Sequence, residues 1–508
     1  MQKKDNLDDL LKIFAKGSFV VFIGVIISKI VTYLYKAIIA RSFGQETYGL
    51  FSLGVLIFGF FSAIFSLGLP SGLLRYISFY RGKNEPDKIK SILRFSLILL
   101  FFVSLLGTGL LFFFAKDISV SLFHNSELTI FIQWFAIFIP VSIFAGLFHT
   151  IILAYEKMKP FSFIGNILSP SVQLIFLIIF ILLGLKMESI PWSYNLGLLT
   201  ILISSFFVCK RSIKEIFGKS GIGKKEKSEL NKKLFSYSWP IMFLGLVMSL
   251  FSGIDSFAIG YFKDMSNVGI YNAALPLTYF LLIVPALFLQ LFFPVITREY
   301  SKKNFNLIKS LSKQIGKWIF ILNLPILIIL MLFPGAVINL LFGSGYIQAE
   351  NSLRLLSIGI FIYSIFLISE NLLSMAGKSK TVLFNLLVAS IVNIILNIIL
   401  IPSYGINGAA FSTMLSYILW SLLSFFMAKY HTSVVPLKWE MLKILLVASI
   451  PTIALFYVRK FIAINTPNML ISGTLFVVFY FILIFLTHSL DKNDLMILRA
   501  IKRKIVGN

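Results

Sequence analysis

The sequence predicts an all-α polytopic membrane protein with about 14 transmembrane helices, arranged as two parallel six-helix lobes plus two C-terminal helices, with both termini cytoplasmic. Of the 508 residues, 58% are apolar and only 13% are charged, about half of the roughly 25% that soluble domains contain. Apolar stretches of membrane-spanning length recur along the chain, and basic residues concentrate between alternate pairs of them. This composition excludes an ordinary soluble enzyme, a disordered chain and a disulfide-stabilised scaffold.

The apolar stretches are each close to the 20 residues that a helix needs to cross a bilayer. We expect the first to be a retained helix, since it is too long for a cleaved signal peptide and contains lysines. In chain order, the 14 predicted transmembrane helices cover residues 17–40, 48–69, 95–115, 130–154, 161–185, 190–209, 237–262, 269–296, 318–342, 353–375, 381–401, 406–428, 441–458 and 469–487.

The basic residues predict the orientation of the chain. The net charge is +25, from 46 Lys and Arg against 21 Asp and Glu. With a cytoplasmic N terminus, 37 of the 46 cations fall on the cytoplasmic side and 6 on the outer side, in agreement with the positive-inside rule. The longest inner loop lacks regularly interleaved aromatic residues, so we predict a solvated linker and no nucleic-acid partner. The inner cations also predict contact with anionic lipid.

An internal repeat has an offset of about 220 residues. Segment 46–52 is similar to segment 266–272, and their glycines, Gly49 and Gly269, are 220 positions apart. Because each half then has six helices, the halves have the same orientation, as in transporters whose substrate path lies between two lobes. The predicted domains are an N-lobe at 1–209, a basic cytoplasmic linker at 210–233, a C-lobe at 234–428, and helices 13 and 14 with a basic cytoplasmic tail at 429–508.

Motifs for a metal, a cofactor or ATP are missing. Cys209 is the sole cysteine, and the four histidines are far apart. Two Gly-Lys-Ser sequences, at 218–220 and 377–379, lack the glycine that a Walker A loop has five positions earlier. The predicted outer loops are too short for the catalytic loop of a membrane glycosyltransferase. We therefore predict no metal, no cofactor, and a transporter rather than an enzyme.

Charges inside the predicted helices are the most informative residues. A charged group near the bilayer centre costs about 2.5–3.5 kcal/mol even on the mildest scale, so it needs a cavity or a partner. Lys29 and Lys36 share one face of predicted helix 1, with Thr32 and Tyr33 between them. This polar stripe predicts a site for a phosphate or carboxylate. The alternatives are that Lys36 snorkels to the outer surface and that Lys29 forms a structural pair with Asp255.

Four further polar residues are candidates. Asp255 in predicted helix 7, with Ser252 one turn earlier, is either a counter-ion or coupling residue, or a purely structural carboxylate. Glu370, near the inner end of predicted helix 10, is either a second coupling carboxylate or a hydrated interfacial residue. Arg75, at the cytoplasmic mouth of predicted helix 2, is either a contact for a lipid phosphate or a plain inner cation.

Short motifs, in their order along the chain, resemble those of prokaryotic oligosaccharide flippases. Their order makes the resemblance specific, because each motif alone is permissive. The motifs are ARSFG at 40–44, YGLF at 48–51, LGLPSG at 67–72 followed by Arg75, Ile254 with Asp255, VGIYNAA at 268–274 and YGINGAA at 404–410.

The resemblance implies a fold and a function. The family belongs to the multidrug/oligosaccharidyl-lipid/polysaccharide exporter superfamily, and its members move polyprenyl-diphosphate-linked sugars outward by alternating access. Lys29 and Lys36 then match helix-1 positions where the murein lipid II flippase of that superfamily has cavity arginines. Pro276 and Leu277 stand where that flippase has a basic residue in helix 8, which disfavours lipid II as the substrate.

We therefore predict a flippase for a polyprenyl-diphosphate-linked oligosaccharide in a prokaryotic plasma membrane, acting in surface polysaccharide biosynthesis. Its expected partners are that lipid-linked substrate, membrane lipids, glycosyltransferases and a polymerase. One alternative is a drug or cation exporter of the same superfamily, in which Asp255 and Glu370 would line an acidic cavity. The other is a membrane polymerase or ligase of glycans. The two cations of helix 1 disfavour the first, and the short outer loops disfavour the second.

Overall fold

The computed structural model describes residues 2–218, 220–461, 466–487 and 489. These residues are almost entirely helical and include no β-strand, which confirms the predicted all-α class. Many large apolar side chains are exposed along the long helices, among them Phe113 at 80% and Leu182 at 81%, as expected for helices that face lipid. Lys219 of the predicted linker and the predicted tail after residue 489 lie outside the described residues.

The chain forms two compact units, Met1–Asn272 and Ala273–Asn508. The predicted boundaries of the lobes and the linker stay predictions. The helices of the first unit are α1 (Gln2–Phe65), α2 (Leu69–Gly82), α3 (Pro86–Phe113), α4 (Glu127–Ile137), α5 (Ile139–Ala154), α6 (Met158–Ser162), α7 (Ser169–Leu182), α8 (Ser189–Ser212), α9 (Lys224–Phe262) and the start of α10 (Met265–Thr278). Those of the second are the end of α10, α11 (Ile283–Ser301), α12 (Phe305–Leu332), α13 (Pro334–Phe342), α14 (Glu350–Met375), α15 (Ser379–Thr432), α16 (Glu440–Phe461) and α17 (Thr466–Leu486).

Among the described residues, 11 helices are long and apolar enough to cross a membrane, and the bent pair α4 and α5 would make 12. Two of the long helices, α1 and α15, each contain two of the predicted spans. The spans meet at glycines with non-helical backbone, Gly44 at φ 82° and Gly405 at φ 55°. Glycine adopts positive φ without the clash of a Cβ atom, which explains the breaks. The total of 14 spans and the location of both termini remain predictions.

The core of the first unit includes an aromatic cluster where α1 packs on α4 and α8. The ring of Phe51 lies 6.5 Å from Phe135 and 6.0 Å from Tyr194, and these last two are 5.5 Å apart. Such tilted and edge-on pairs are the arrangement that aromatic rings prefer. Tyr35, one residue before Lys36, donates a hydrogen bond from Oη to the backbone oxygen of Ile190 at 3.2 Å. The hydrogen bond orients the part of α1 before Gly44, and the aromatic packing orients the part after it.

Two glycines allow α2 to approach α9 closely. Gly68, at φ 64°, precedes α2, and a Cβ atom there would lie 2.3 Å from the backbone oxygen of Ser238. At Gly72 the added atom would lie 2.0 Å from Ser238 Oγ. Small residues four positions apart are common where membrane helices touch. The contact positions the first turns of α2, and with them Arg75, against α9.

In the second unit α14 is the central helix, with most of its residues buried, and it packs against α11, α12 and α15. A Cβ atom at Gly359 of α14 would lie 2.8 Å from Met414 Cα, so the two backbones are in contact. The halves of α15 are joined by a buried hydrogen bond from Asn393 Nδ2 to Thr413 Oγ1 at 3.1 Å. Polar side chains thus bond to one another across the helices instead of facing lipid.

We expect Gly68→Ala to destabilise the protein by about 2–4 kcal/mol, because alanine is strained at positive φ and its Cβ would overlap Ser238. The measurement is thermal unfolding of the purified protein in detergent. Gly59→Ala is the matched control, since no atom lies within 4 Å of the added Cβ. Equal melting temperatures for the two variants would contradict the close contact between α2 and α9.

Candidate functional site

Lys29 and Lys36 lie on one face of α1. Lys29 is exposed and Lys36 is half-buried. Neither lysine forms an ion pair with any residue that the structure describes. Thr32 is half-buried and Tyr33 is 8% exposed, so Lys29 is the most accessible group of the predicted stripe. An anion at this face would meet two positive charges, and no carboxylate among the described residues pairs with either of them.

Asp255 does not pair with Lys29, although that was one of the predicted alternatives. It is 5% exposed on α9 and accepts a hydrogen bond from the Tyr271 hydroxyl of α10. The residues that follow these two along the chain, Ser256 of α9 and Asn272 of α10, are also hydrogen-bonded. Asn272 Nδ2 donates to Ser256 Oγ at 2.8 Å. These two bonds connect α9 with α10. The sequence analysis missed Tyr271, whose place in the repeated segment 266–272 was a usable signal.

Ser252 lies one turn before Asp255 but does not join it. Ser252 is exposed, and its hydroxyl donates to the backbone oxygen of Ser249 at 3.0 Å. A serine that bonds its own helix in this way has satisfied its donor locally. The structure therefore does not group Ser252 and Asp255 into one polar site.

The two segments of the internal repeat touch each other within the first unit. A Cβ atom at Gly49 would lie 1.8 Å from the backbone oxygen of Met265. A Cβ atom at Gly269 would lie 2.0 Å from the backbone oxygen of Gln45 and 3.1 Å from the backbone nitrogen of Gly49. Any side chain at either glycine would separate the backbones, so both positions require glycine for this contact.

Two polar contacts flank the paired glycines. Ser266 Oγ donates to Gln45 Oε1 at 2.8 Å, and Tyr48 Oη donates to the backbone oxygen of Asn272 at 3.1 Å. Tyr48 is fully buried, so its hydroxyl needs a partner of this kind. In the predicted orientation, the contact between the repeated segments lies at the outer side of the membrane. We call this set of residues the outer contact.

Arg75 is exposed on α2 and stacks on aromatic rings. Its guanidinium carbon lies 4.1 Å from the ring centre of Tyr237 and 5.7 Å from that of Tyr76. Cation–π contacts of this length are favourable and leave the N–H groups available for an anion. A cavity of about 600 Å³ lies beside these rings and is also lined by Lys232 and Lys233. Arg75 was a predicted candidate, whereas its aromatic partner Tyr237 was not.

Glu370 lies in the second unit on α14. It is half-buried and interacts with the hydroxyl of Tyr363, two turns earlier on the same helix. The ring of Tyr363 packs 4.8 Å from Trp420 and 5.0 Å from Tyr417, both on the second half of α15. The carboxylate is therefore next to an aromatic cluster. The two predicted roles of Glu370, a coupling carboxylate and a hydrated interfacial residue, both stay predictions.

Lys317 is a polar residue that the sequence analysis missed. From the sequence, Lys317 is one of the inner-loop cations, one position before predicted helix 9. In the structure it lies on α12 and is fully buried. One turn earlier, Gln314 is 8% exposed and accepts a hydrogen bond from Lys438 Nζ at 2.9 Å. The only signal in the sequence was that Lys317 directly adjoins the apolar span.

Known protein families match most of the chain. The model of the polysaccharide biosynthesis protein family matches residues 14–300, which is more than half of the sequence. The MatE family model matches residues 240–399. The two matches overlap, as expected for families that share one fold.

Individual relatives match along most of their length. A putative O-antigen transporter of Shigella flexneri is 26% identical over 392 residues, which are 76% of this chain and 90% of that protein. The lipid II flippase MurJ of Bacillus subtilis is 24% identical over 460 residues, 82% of each chain. A solved structure of lipid II flippase MurJ in an inward closed conformation has a TM-score of 0.72 at 19% identity, with 92% of this chain and 98% of that chain covered. At this identity the structural match shows a shared fold.

We expect a Gln45→Cys, Ser266→Cys double variant to be cross-linked by a short thiol-reactive bifunctional reagent, because the two native side chains are hydrogen-bonded. The sole native cysteine, Cys209, is buried and adds little background. Adding Gly269→Val should lower the cross-linked fraction severalfold, since the new side chain would overlap the backbone of Gln45.

Gly146→Val is the matched control for this experiment. No atom lies within 4 Å of a Cβ at Gly146, so this substitution should leave the cross-linked fraction unchanged. Electrophoretic mobility reports the cross-link. Undiminished cross-linking in the Gly269→Val background would show that the outer contact is absent.

Proposed function

The chain belongs to the polysaccharide biosynthesis protein family, and from this premise we propose that it is a flippase for lipid-linked glycans. Relatives described as a putative O-antigen transporter and a lipid II flippase support a transport role rather than catalysis. In detail, we propose that a polyprenyl-diphosphate-linked oligosaccharide moves from the cytoplasmic to the outer leaflet of a prokaryotic plasma membrane. The product would serve surface polysaccharide biosynthesis, with glycosyltransferases and a polymerase as partners.

The observation that carries this proposal is the pair of lysines on α1. Lys29 and Lys36 lie on one face, and no described residue forms an ion pair with either. A diphosphate would accept charge-assisted hydrogen bonds from both ammonium groups, which act as point charges of adaptable direction. Thr32 and Tyr33 on the same face offer neutral polar groups to the headgroup. The polyprenyl chain needs no polar contact and can stay in lipid.

The outer contact supports an alternating-access cycle. It joins α1 to the start of α10 through glycine backbones and two neutral hydrogen bonds. Bonds of this kind contribute only about 0.5–1.5 kcal/mol each, so the contact can form and separate repeatedly. Asp255 would then be a positioning residue, because its bond with Tyr271 connects α10 to α9. We propose that outward release requires the outer contact to open.

Arg75 would act before translocation. Its exposed guanidinium and the adjacent cavity with Lys232 and Lys233 lie, in the predicted orientation, at the cytoplasmic side. The group is suited to a first contact with the lipid phosphate. Glu370 stays a candidate for ion coupling, and transport would use an ion gradient, the membrane potential or removal of product.

The MatE match over residues 240–399 supports a second candidate, a drug or cation exporter of the same superfamily. That function would depend on acidic residues such as Asp255 and Glu370 and not on Lys29 or Lys36. Drug resistance that depends on Glu370, together with lipid-linked oligosaccharide that is not translocated in proteoliposomes, would favour the exporter.

We expect Lys29→Ala and Lys36→Ala each to lower translocation of lipid-linked oligosaccharide about tenfold or more, because each removes a charge-assisted hydrogen bond to the diphosphate. The measurement is the rate of translocation in proteoliposomes that contain equal amounts of protein. The Lys29→Arg, Lys36→Arg double variant keeps both charges and should retain most of the activity.

Lys186→Ala is the matched control, since it removes an exposed lysine from a predicted outer loop and should leave the rate unchanged. If a variant that combines Lys29→Ala with Lys36→Ala translocates the substrate at the wild-type rate, the proposed diphosphate site is wrong.

A further inference from the structure

The second unit contains a cavity of about 730 Å³ between α12, α14 and the beginning of α16. This volume is within the roughly 300–1,000 Å³ of small-molecule sites. Much of the wall is apolar and includes Phe320 of α12, Ile365 of α14, and Leu442 and Leu445 of α16. The proposed flippase activity uses no residue of this cavity.

One end of the cavity has an excess of positive charge. Lys313 of α12 and Lys438, in the segment before α16, both line it. Lys438 Nζ donates to Gln314 Oε1 at 2.9 Å, which holds this ammonium beside the α12 turn that contains Lys313. Glu440 is the one carboxylate among the described lining residues. Neither Lys313 nor Glu440 forms an ion pair with a residue that the structure describes.

The surroundings of the cavity place it at a lipid interface. Trp439, between Lys438 and Glu440, is 87% exposed, and exposed tryptophan is typical of the headgroup level of a bilayer. Leu442 and Leu445 are 51% and 48% exposed, so the apolar wall continues onto the outside of α16. In the predicted orientation, this end of α16 is at the cytoplasmic leaflet. The cavity thus offers cations at headgroup depth and an apolar surface at the depth of the acyl chains.

We propose that this cavity binds one anionic glycerophospholipid of the cytoplasmic leaflet. Its phosphate lies between Lys313 and Lys438, its acyl chains follow α16, and a hydroxyl of its headgroup donates to Glu440. The Gln314 bond keeps Lys438 in place for the phosphate. The proposal is independent of the flippase function, because it concerns a resident lipid and not the transported substrate.

The test is native mass spectrometry of the full chain in detergent, titrated with short-chain phosphatidylglycerol or phosphatidylethanolamine. We expect the wild type to bind one phosphatidylglycerol about tenfold more tightly than phosphatidylethanolamine. Lys313→Ala with Lys438→Ala should weaken phosphatidylglycerol about tenfold or more, because two charge-assisted contacts are lost. The matched control, Lys309→Ala with Lys429→Ala, removes two exposed lysines of the same predicted side and should leave binding unchanged.

A second double variant, Lys313→Arg with Lys438→Arg, keeps both charges and should keep the preference for phosphatidylglycerol even if the alanine variant fails to fold. Equal affinity of the wild type for the two lipids would overturn the proposal. So would equal effects of the two alanine pairs, or loss of the preference in the arginine variant. Displacement of the lipid by millimolar inorganic phosphate would assign the site to free phosphate instead.

Discussion

The contact of two glycine backbones is the constraint on which the first unit depends. Gly49 and Gly269 are so close that a Cβ atom at either would overlap the opposite chain. The same contact orients α10, whose Tyr271 then meets the buried carboxylate of Asp255. The two glycines occupy matching positions of the two similar sequence segments, so each segment provides the glycine surface that the other one contacts.

The class of the fold could be predicted from the sequence, because it depends on composition and on the length of the apolar runs. The junctions at Gly44 and Gly405 lie between predicted spans, but the breaks themselves were not predicted. Partners across helices could not be predicted in the same way. Tyr271 is one of many tyrosines, and only the packing of α10 on α9 directs it at Asp255. Lys317 stands at a predicted boundary, where a shift of one residue decides between water and the protein interior.

In the candidate site, too, some features could be predicted from the sequence and others depend on tertiary contacts. The spacing of Lys29 and Lys36 was sufficient to place both on one face, because an α-helix repeats nearly every seven residues. Whether an acidic residue would neutralise them depended on tertiary structure. A structural pair of Lys29 with Asp255 was one predicted alternative, but Asp255 accepts a hydrogen bond from Tyr271 instead. The polar groups of the helices thus differ in function: some bond to each other and hold helices together, whereas the two lysines are without a carboxylate partner among the described residues.

The helices α1 and α15 each join two apolar spans through one non-helical glycine. Very little polar backbone would therefore have to be transferred across the bilayer while each pair of spans inserts, since nearly all backbone groups remain in helical hydrogen bonds. Each pair can enter the membrane as one preformed unit. Because these two junctions contain almost no loop, they also offer an external protease little extended backbone to cleave.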